Sequence, residues 1–188
     1  GTNLLVSDDG FAGTVIHITN SNIASEVDAC SGATLTIGAG QNWDELVAIT
    51  VERGFAGLET LSGIPGTVGA APIQNIGAYG TEQSSVLHSV EVMDRQTGEV
   101  RTMSAAECKC GYRDSIFKHD LRGSVVITSV TYALTRTEHP NASYRDVQLE
   151  LEAQGITKPT VQHIYDAVVA IRTRKLPNPL AIGNAGSF

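Results

Sequence analysis

The chain has 188 residues, 41% of them hydrophobic and 18% charged, enough apolar material for a packed core and too little charge for a disordered chain. Thirteen Lys+Arg against twenty Asp+Glu leave a net charge of −7 with no basic run, a poor match for nucleic acid or an anionic membrane. No apolar run reaches the roughly 18–20 residues of a membrane helix. The opening Gly1–Gly10 lacks a basic segment followed by a long apolar one, so no secretory leader is expected from it. Cys30, Cys108 and Cys110 are odd in number and form no Cys-x-x-Cys pair, which argues against zinc and against a disulfide framework. Cys108 and Cys110 would share a face if they lay in a strand.

In chain order, the β-branched runs Thr14–Ile18 and Ala33–Ile37 predict short strands. Asn42 then has the character of a helix N-cap, with Glu45 three positions on and Gly54 as the stop. Trp43, Leu46, Val47 and Thr50 give that helix one buried face. Val86–Asp94 and Val100–Met103 predict a hairpin turning at Gln96-Thr97-Gly98. Ser104 and Glu107 predict a capping box on a short helical turn. Val125–Leu134 predicts a long strand, and Pro140–Ser143 a loop. Thr160–Leu176 predicts the best helix, with Val161, Ile164, Val168 and Ile171 on one face, a basic last turn, and Pro177 and Pro179 beyond it. The class is α+β, with more strand than helix.

Three stretches bear on function. Thr60–Thr81 carries no charged residue, and its centre, Gly63 to Gly80, holds five glycines and two prolines, which preclude continuous helix or strand. Such a loop either packs under a sheet or lines a site, where free backbone N–H groups can hold an anion. Residue types alone leave both open. The loop lacks the Gly-Lys-Ser/Thr ending of a Walker A loop, and its Gly-x-x-Gly-x-x-Gly spacing is not the dinucleotide fingerprint. Tyr112-Arg113-Asp114-Ser115-Ile116-Phe117-Lys118 reads by itself as a surface segment with an Arg113–Asp114 ion pair. Gly183-Asn184-Ala185-Gly186-Ser187-Phe188 lacks the Gly-x-Ser-x-Gly elbow of a hydrolase. The five histidines match no metal spacing, and no metal is expected.

Together and in this order, these stretches resemble the UDP-N-acetylenolpyruvoylglucosamine reductase family, whose pattern they match at 63–80, 112–118 and 183–188. Gly1-Thr2-Asn3-Leu4-Leu5 is similar to that family's flavin-phosphate loop. The resemblance implies an FAD-binding domain of the p-cresol methylhydroxylase (vanillyl-alcohol oxidase) type at 1–139. It implies a tyrosine loop, a helix and the start of a substrate-binding domain at 140–188. It implies noncovalent FAD near Thr2, Asn3, Leu4, Ile64, Pro65, Gly66, Thr67, Ala70, Ala71, Ile73, Gly77 and Ile127. It also implies NADPH as hydride donor and the enolpyruvyl ether of a UDP-sugar as substrate, contacted by Tyr79, Arg113, Tyr144, Lys175 and Ser187. In the family pattern Arg113 stabilises developing negative charge and Ser187 protonates C2. The implied setting is peptidoglycan synthesis in the bacterial cytoplasm, by a monomer without nucleic-acid or membrane partners.

Set against the family pattern, the chain reads as truncated at both ends, with the catalytic glutamate beyond Phe188. Weakened FAD affinity and very low turnover are therefore expected. Two alternatives stand beside this reading: a noncatalytic FAD- or nucleotide-binding fragment, and a flavin oxidase of the same superfamily acting on a sugar or alcohol.

Overall fold

The structure is a computed structural model that describes residues 4–28, 32–137 and 139–176. Its frame is a five-stranded antiparallel sheet of β1 (Ile23–Asp28), β2 (Gly32–Gly38), β5 (Leu87–Asp94), β6 (Val100–Ser104) and β7 (Val125–Thr135), in the order β1-β2-β7-β5-β6. A two-stranded ribbon, β3 (Gly77–Ala78) with β4 (Thr81–Glu82), lies apart from it. Ala33, Leu35 and Ile37 of β2, with Val130, Tyr132 and Leu134 of β7, turn inward at alternate positions, the period that puts one strand face on a core. Helix α1 (Trp43–Glu52) covers that face with Trp43, Leu46, Val47 and Thr50, all buried. The Trp43 ring meets Tyr132 edge-on at 5.9 Å, and its indole N–H donates to the Leu61 carbonyl at 2.9 Å. The indole of the pair therefore keeps a polar outlet, while the Tyr132 hydroxyl is buried with no hydrogen-bond partner among the described residues.

The end of α1 is set as the sequence predicts, with a difference in detail. The Asn42 side chain accepts the Glu45 amide at 3.1 Å, while the Glu45 carboxylate accepts Gln41 Nε2 instead of returning to the Asn42 amide. The cap is thus one-sided. At β6 the reciprocal Ser104–Glu107 bonds do form, but they close a turn and not a helix. Cys108 and Cys110 sit in and just after that turn, not in a strand. Cys108 is fully buried, and burial pushes its thiol up to about 12. Cys30 lies outside the described residues.

The expected strand at Thr14–Ile18 is absent. That segment has no regular secondary structure and is exposed, and a run of β-branched residues needs a neighbouring strand before its propensity becomes structure. The hairpin, β7 and the last helix form where expected. The hairpin turn is held by the Asp94 carboxylate, which accepts the Gln96 and Thr97 amides. A helix the sequence reading missed, α2 (Arg145–Ala153), packs against α3 (Val161–Lys175) through Val147, Leu151, Ile164, Ala167, Val168 and Ile171, a second small core. Val161, at the start of α3, belongs to the main core and joins the two.

One irregularity in the sheet bears on function. Glu91 pairs with Ser129 and Val92 with Ile127, so Thr128 is an extra residue on β7. Its hydroxyl donates to the Glu91 carboxylate at 2.6 Å, and its carbonyl accepts Asn20 Nδ2 and the Ala39 amide. A bulge of this kind breaks the strict in–out alternation and re-aims the residues before it. Here it buries Ile127 and places it, with Val125 and Val126, on the wall of a cavity.

Candidate functional site

The uncharged loop supplies most of the site. Val68 and Gly69 donate their amides to the Gln41 and Ala39 carbonyls, and Trp43 donates to Gly66, so the loop zips onto the start of α1. Gly69 has no room for a side chain, since a Cβ there would stand 2.6 Å from that of Ala39. A 3-10 turn at Val68–Ala70 follows, and the amides of Ala70 and Ala71 close on Thr67 and Val68. The four amides from Val68 to Ala71 are therefore spent inside the protein. The expected nest of free donors does not include them. What the turn presents outward is its small residues.

Three cavities follow the loop and share walls. The first, of about 340 Å³, lies between Ala39, Thr67, Ala70 and Ile73 on one side and Phe117 and Ile127 on the other, and no ionisable side chain lines it. The second, of about 320 Å³, shares Thr67, Ala70 and Ile73 with the first and adds Ile64, Pro65, Gly66, Ala71 and Gly77. The third, of about 940 Å³, shares Gly77 and Arg113 with the second and is charged and aromatic. Tyr79, Tyr144, Asp146, Arg172 and Lys175 stand on its walls. The three form one trough that runs from an apolar slot to a charged chamber.

Arg113 stands at the junction. It occupies the turn closed by mutual Gly111 and Asp114 backbone bonds, with φ of +54°. The Asp114 carboxylate accepts His119 Nε2 and does not pair with Arg113, contrary to the ion pair read from the sequence. The His119 bond is the main cause that holds the Asp114 carboxyl below its ordinary value. Among the described residues Arg113 has no ion pair. Lys118 Nζ donates to the Arg113 carbonyl at 2.9 Å, and the Ser115 hydroxyl donates to the Ile73 carbonyl at 2.5 Å, tying this turn to the loop.

Asn75 ties the trough together. It is fully buried, and all its side-chain hydrogen-bonding capacity is used. Its Nδ2 donates to the Glu82 carboxylate at 2.8 Å and the Gly111 carbonyl at 2.9 Å. Its Oδ1 accepts Gln83 Nε2 at 3.2 Å and the Ser84 amide at 3.1 Å. One amide thus joins the loop, the ribbon that carries Tyr79 and the turn that carries Arg113. Asn75, Tyr79 and Arg113 all have positive φ, at +45°, +49° and +54°. Non-glycine residues rarely take that conformation, and their grouping at one site marks backbone held by its surroundings.

In the chamber, Tyr79 and Tyr144 meet edge-to-face at 5.4 Å. Lys175 pairs with Asp146, whose hydrogen bond is the main reason the ammonium is held above its ordinary value. Arg172 Nη2 donates to the Gly63 carbonyl at 2.7 Å, so α3 grips the start of the loop.

Of the residues singled out from the sequence, Ile64, Pro65, Gly66, Thr67, Ala70, Ala71, Ile73, Gly77 and Ile127 line the first two cavities. Tyr79, Arg113, Tyr144 and Lys175 line the third. Leu4 is 74% exposed and lines none of the three. Thr2, Asn3 and Ser187 lie outside the described residues. The sequence reading missed Asn75 as the tie, Phe117 on the slot wall and Asp146 beside Lys175. The Gln74-Asn75 pair inside an uncharged loop was the available signal for the first.

The FAD binding domain family matches residues 1–104. The whole chain aligns at 48% identity with the UDP-N-acetylenolpyruvoylglucosamine reductase of Ralstonia nicotianae, and at 45% with that of Pseudomonas putida. It spans 56% and 55% of those proteins' lengths. The crystal structure of UDP-N-acetylenolpyruvylglucosamine reductase from Thermus caldophilus superposes with a TM-score of 0.54 at 26% identity, over 76% of this chain and 44% of that one.

Proposed function

The chain belongs to the FAD binding domain family, and on that premise we propose that it is the flavin-holding part of a UDP-N-acetylenolpyruvoylglucosamine reductase. The reaction adds hydride to C3 of the enolpyruvyl group of a UDP-sugar and a proton to C2, giving UDP-N-acetylmuramate for peptidoglycan. Residues 1–139 hold the flavin and 140–188 begin the substrate side. The setting is the bacterial cytoplasm, and among the described residues no helix is long and apolar enough to cross a membrane.

The residues present fit a flavin. A flat tricyclic ring suits an apolar slot with no ionisable lining, bounded by Phe117, Ile127 and the small residues Gly69 and Ala70. When bound, FAD supplies the two-electron chemistry, accepting hydride from NADPH and passing it to the substrate. The chain's residues do the rest. Arg113 places a guanidinium, with no ion pair among the described residues, where the slot region opens into the chamber. There it stabilises the charge that develops on the substrate carboxylate as hydride arrives. Lys175 holds the diphosphate as a point charge. Tyr79 and Tyr144 pack against the nucleotide. Ser187 delivers the proton at C2.

The observation that carries this reading is the shared wall: Arg113 and Gly77 border both the loop cavity and the charged chamber. The test is an absorbance scan of the purified chain after FAD is added and the excess removed, followed by NADPH with and without the enolpyruvyl substrate. A retained, shifted flavin band, bleached by NADPH and recovered only with substrate, supports the reading. Bleaching and recovery with sugars and oxygen alone would replace it with an oxidase.

A further inference from the structure

Asp146 has a place in the charged chamber that the proposed reaction does not use. The walls of that chamber carry two carboxylates, Glu82 and Asp146. Glu82 is engaged by the buried Asn75 amide. Asp146 instead pairs across the α2–α3 gap with Lys175, the cation that the proposed function assigns to the diphosphate. A ligand with a diphosphate must therefore take the lysine from a carboxylate already holding it.

The elements at both ends of this pair make the exchange easy. Asp146 lies in the first turn of α2 and Lys175 is the last residue of α3. A carboxylate is stabilised at a helix N-terminus and an ammonium at a C-terminus, so each charge keeps a favourable helix field when the other leaves. The side chains are 37% and 61% exposed, which keeps the pair weak and replaceable. The neighbouring pair Arg174–Glu150 and the small apolar core still join the two helices when Lys175 turns away.

We propose that Asp146 is an internal competitor for Lys175, a carboxylate that occupies the diphosphate subsite in the free protein and sets how tightly an anionic nucleotide binds. The inference rests on the reading of the chamber as a UDP-sugar site. It makes Asp146 a determinant of affinity and of anion selectivity, since a ligand without a diphosphate has little to offer Lys175 in exchange.

The test is calorimetric titration of UDP into the chain, which requires neither flavin nor turnover. Asp146→Asn should bind UDP about two- to fivefold more tightly than the natural protein, the range that an exposed ion pair can supply. Added salt should shrink that difference. Lys175→Ala should weaken UDP binding, and in that background Asp146→Asn should give no gain, because the competition has lost its object. Far-UV circular dichroism checks that each variant is folded, and Asp146→Ser serves as the second neutral variant.

Equal or weaker UDP binding by both neutral variants overturns the inference and leaves the reading of the chamber intact. The same gain with and without Lys175 also overturns it, since simple repulsion from Asp146 then accounts for the effect. No UDP binding by the natural protein or by any variant overturns both the chamber reading and the inference.

Discussion

The two ends of the trough are built in opposite ways. The apolar slot is made of backbone and core: the tight approach of Gly69 to Ala39, the 3-10 turn at Val68–Ala70, and the β7 bulge that turns Ile127 inward. The charged chamber is made of side chains at the ends of elements. Tyr79 sits at the ribbon tip, Arg113 at a turn, Tyr144 before α2 and Lys175 at the last turn of α3. A site that selects by shape has to be as rigid as the core that forms it. A site that exchanges one anion for another requires charges that can change partners.

Asn75 ties the loop, the Tyr79 ribbon and the Arg113 turn together at once, so its loss should break the comparison most. Asn75→Ala removes the side-chain partner of the Glu82 carboxylate, the Gly111 carbonyl and the Ser84 amide, and leaves Gln83 Nε2 only its long contact to Cys110 Sγ. We expect a loss of about 3–4 kcal/mol in urea unfolding, with FAD retention and UDP binding falling together. Independent loss of one activity alone would show that the two ends are not coupled through this residue.

Arg113→Ala should act on chemistry and not on the fold. The guanidinium has no ion pair among the described residues, so the unfolding midpoint should hold while turnover of the flavin-loaded enzyme drops about a hundredfold. Arg113→Lys should recover only part of it, because a lysine lacks the planar fork. A fall in stability comparable to that of Asn75→Ala would make Arg113 a structural residue.

Gly69→Ala should affect the slot alone. Its methyl meets Ala39 at 2.6 Å, which forces the turn off its hydrogen bonds to α1 at a cost of about 1–3 kcal/mol. Flavin retention should fall while UDP affinity stays within error, as measured by the same absorbance and calorimetric assays. Equal loss of both would mean that the slot and the chamber share one rigid frame.

The same contrast explains what the sequence disclosed. The loop was legible as an uncharged segment rich in small residues that either lines a site or packs under the sheet, but its residue types left the two open, and Phe117 on the slot wall was not foreseen. The strand β2 was legible from its β-branched run, β5 and β6 from the turn between them, β7 from alternation, and α3 from its apolar period. The Thr14–Ile18 strand failed because propensity supplies no partner. Helix α2 was missed because Val147 and Leu151 are two apolar contacts in a polar stretch, and their burial exists only once α3 is beside them. Glu82, Gln83 and Ser84 lie close to Asn75 in sequence, but its Gly111 contact spans 36 residues and the Lys175–Asp146 pair spans 29, and no local pattern could name those two. Residue identity pointed to the charged positions, while only the fold showed that Asp114 serves His119 and that Asp146 serves Lys175.

The smallest expected effect comes from acid, and it should fall on the chamber side. Arg174, and then Gln154, hydrogen-bond the Glu150 carboxylate and hold its carboxyl below the ordinary 4.5. A group lowered in the folded state contributes stability in full above its unfolded value, and that contribution is lost as pH falls through the folded one. The Arg174–Glu150 link between α2 and α3 should therefore be constant from neutral pH down to about 4.5 and weaken below it. Thermal melts of the natural chain and of Glu150→Gln should differ slightly at pH 6 and converge as the pH drops below that point. High salt should bring them together at every pH, because the Arg174 side of the pair is solvent-exposed. Flavin retention should be the same for both proteins across this range, since no ionisable side chain lines the slot. A difference in flavin retention that tracks Glu150 would mean that the α2–α3 pair supports the slot as well, and the division between a rigid end and an exchangeable end would not hold.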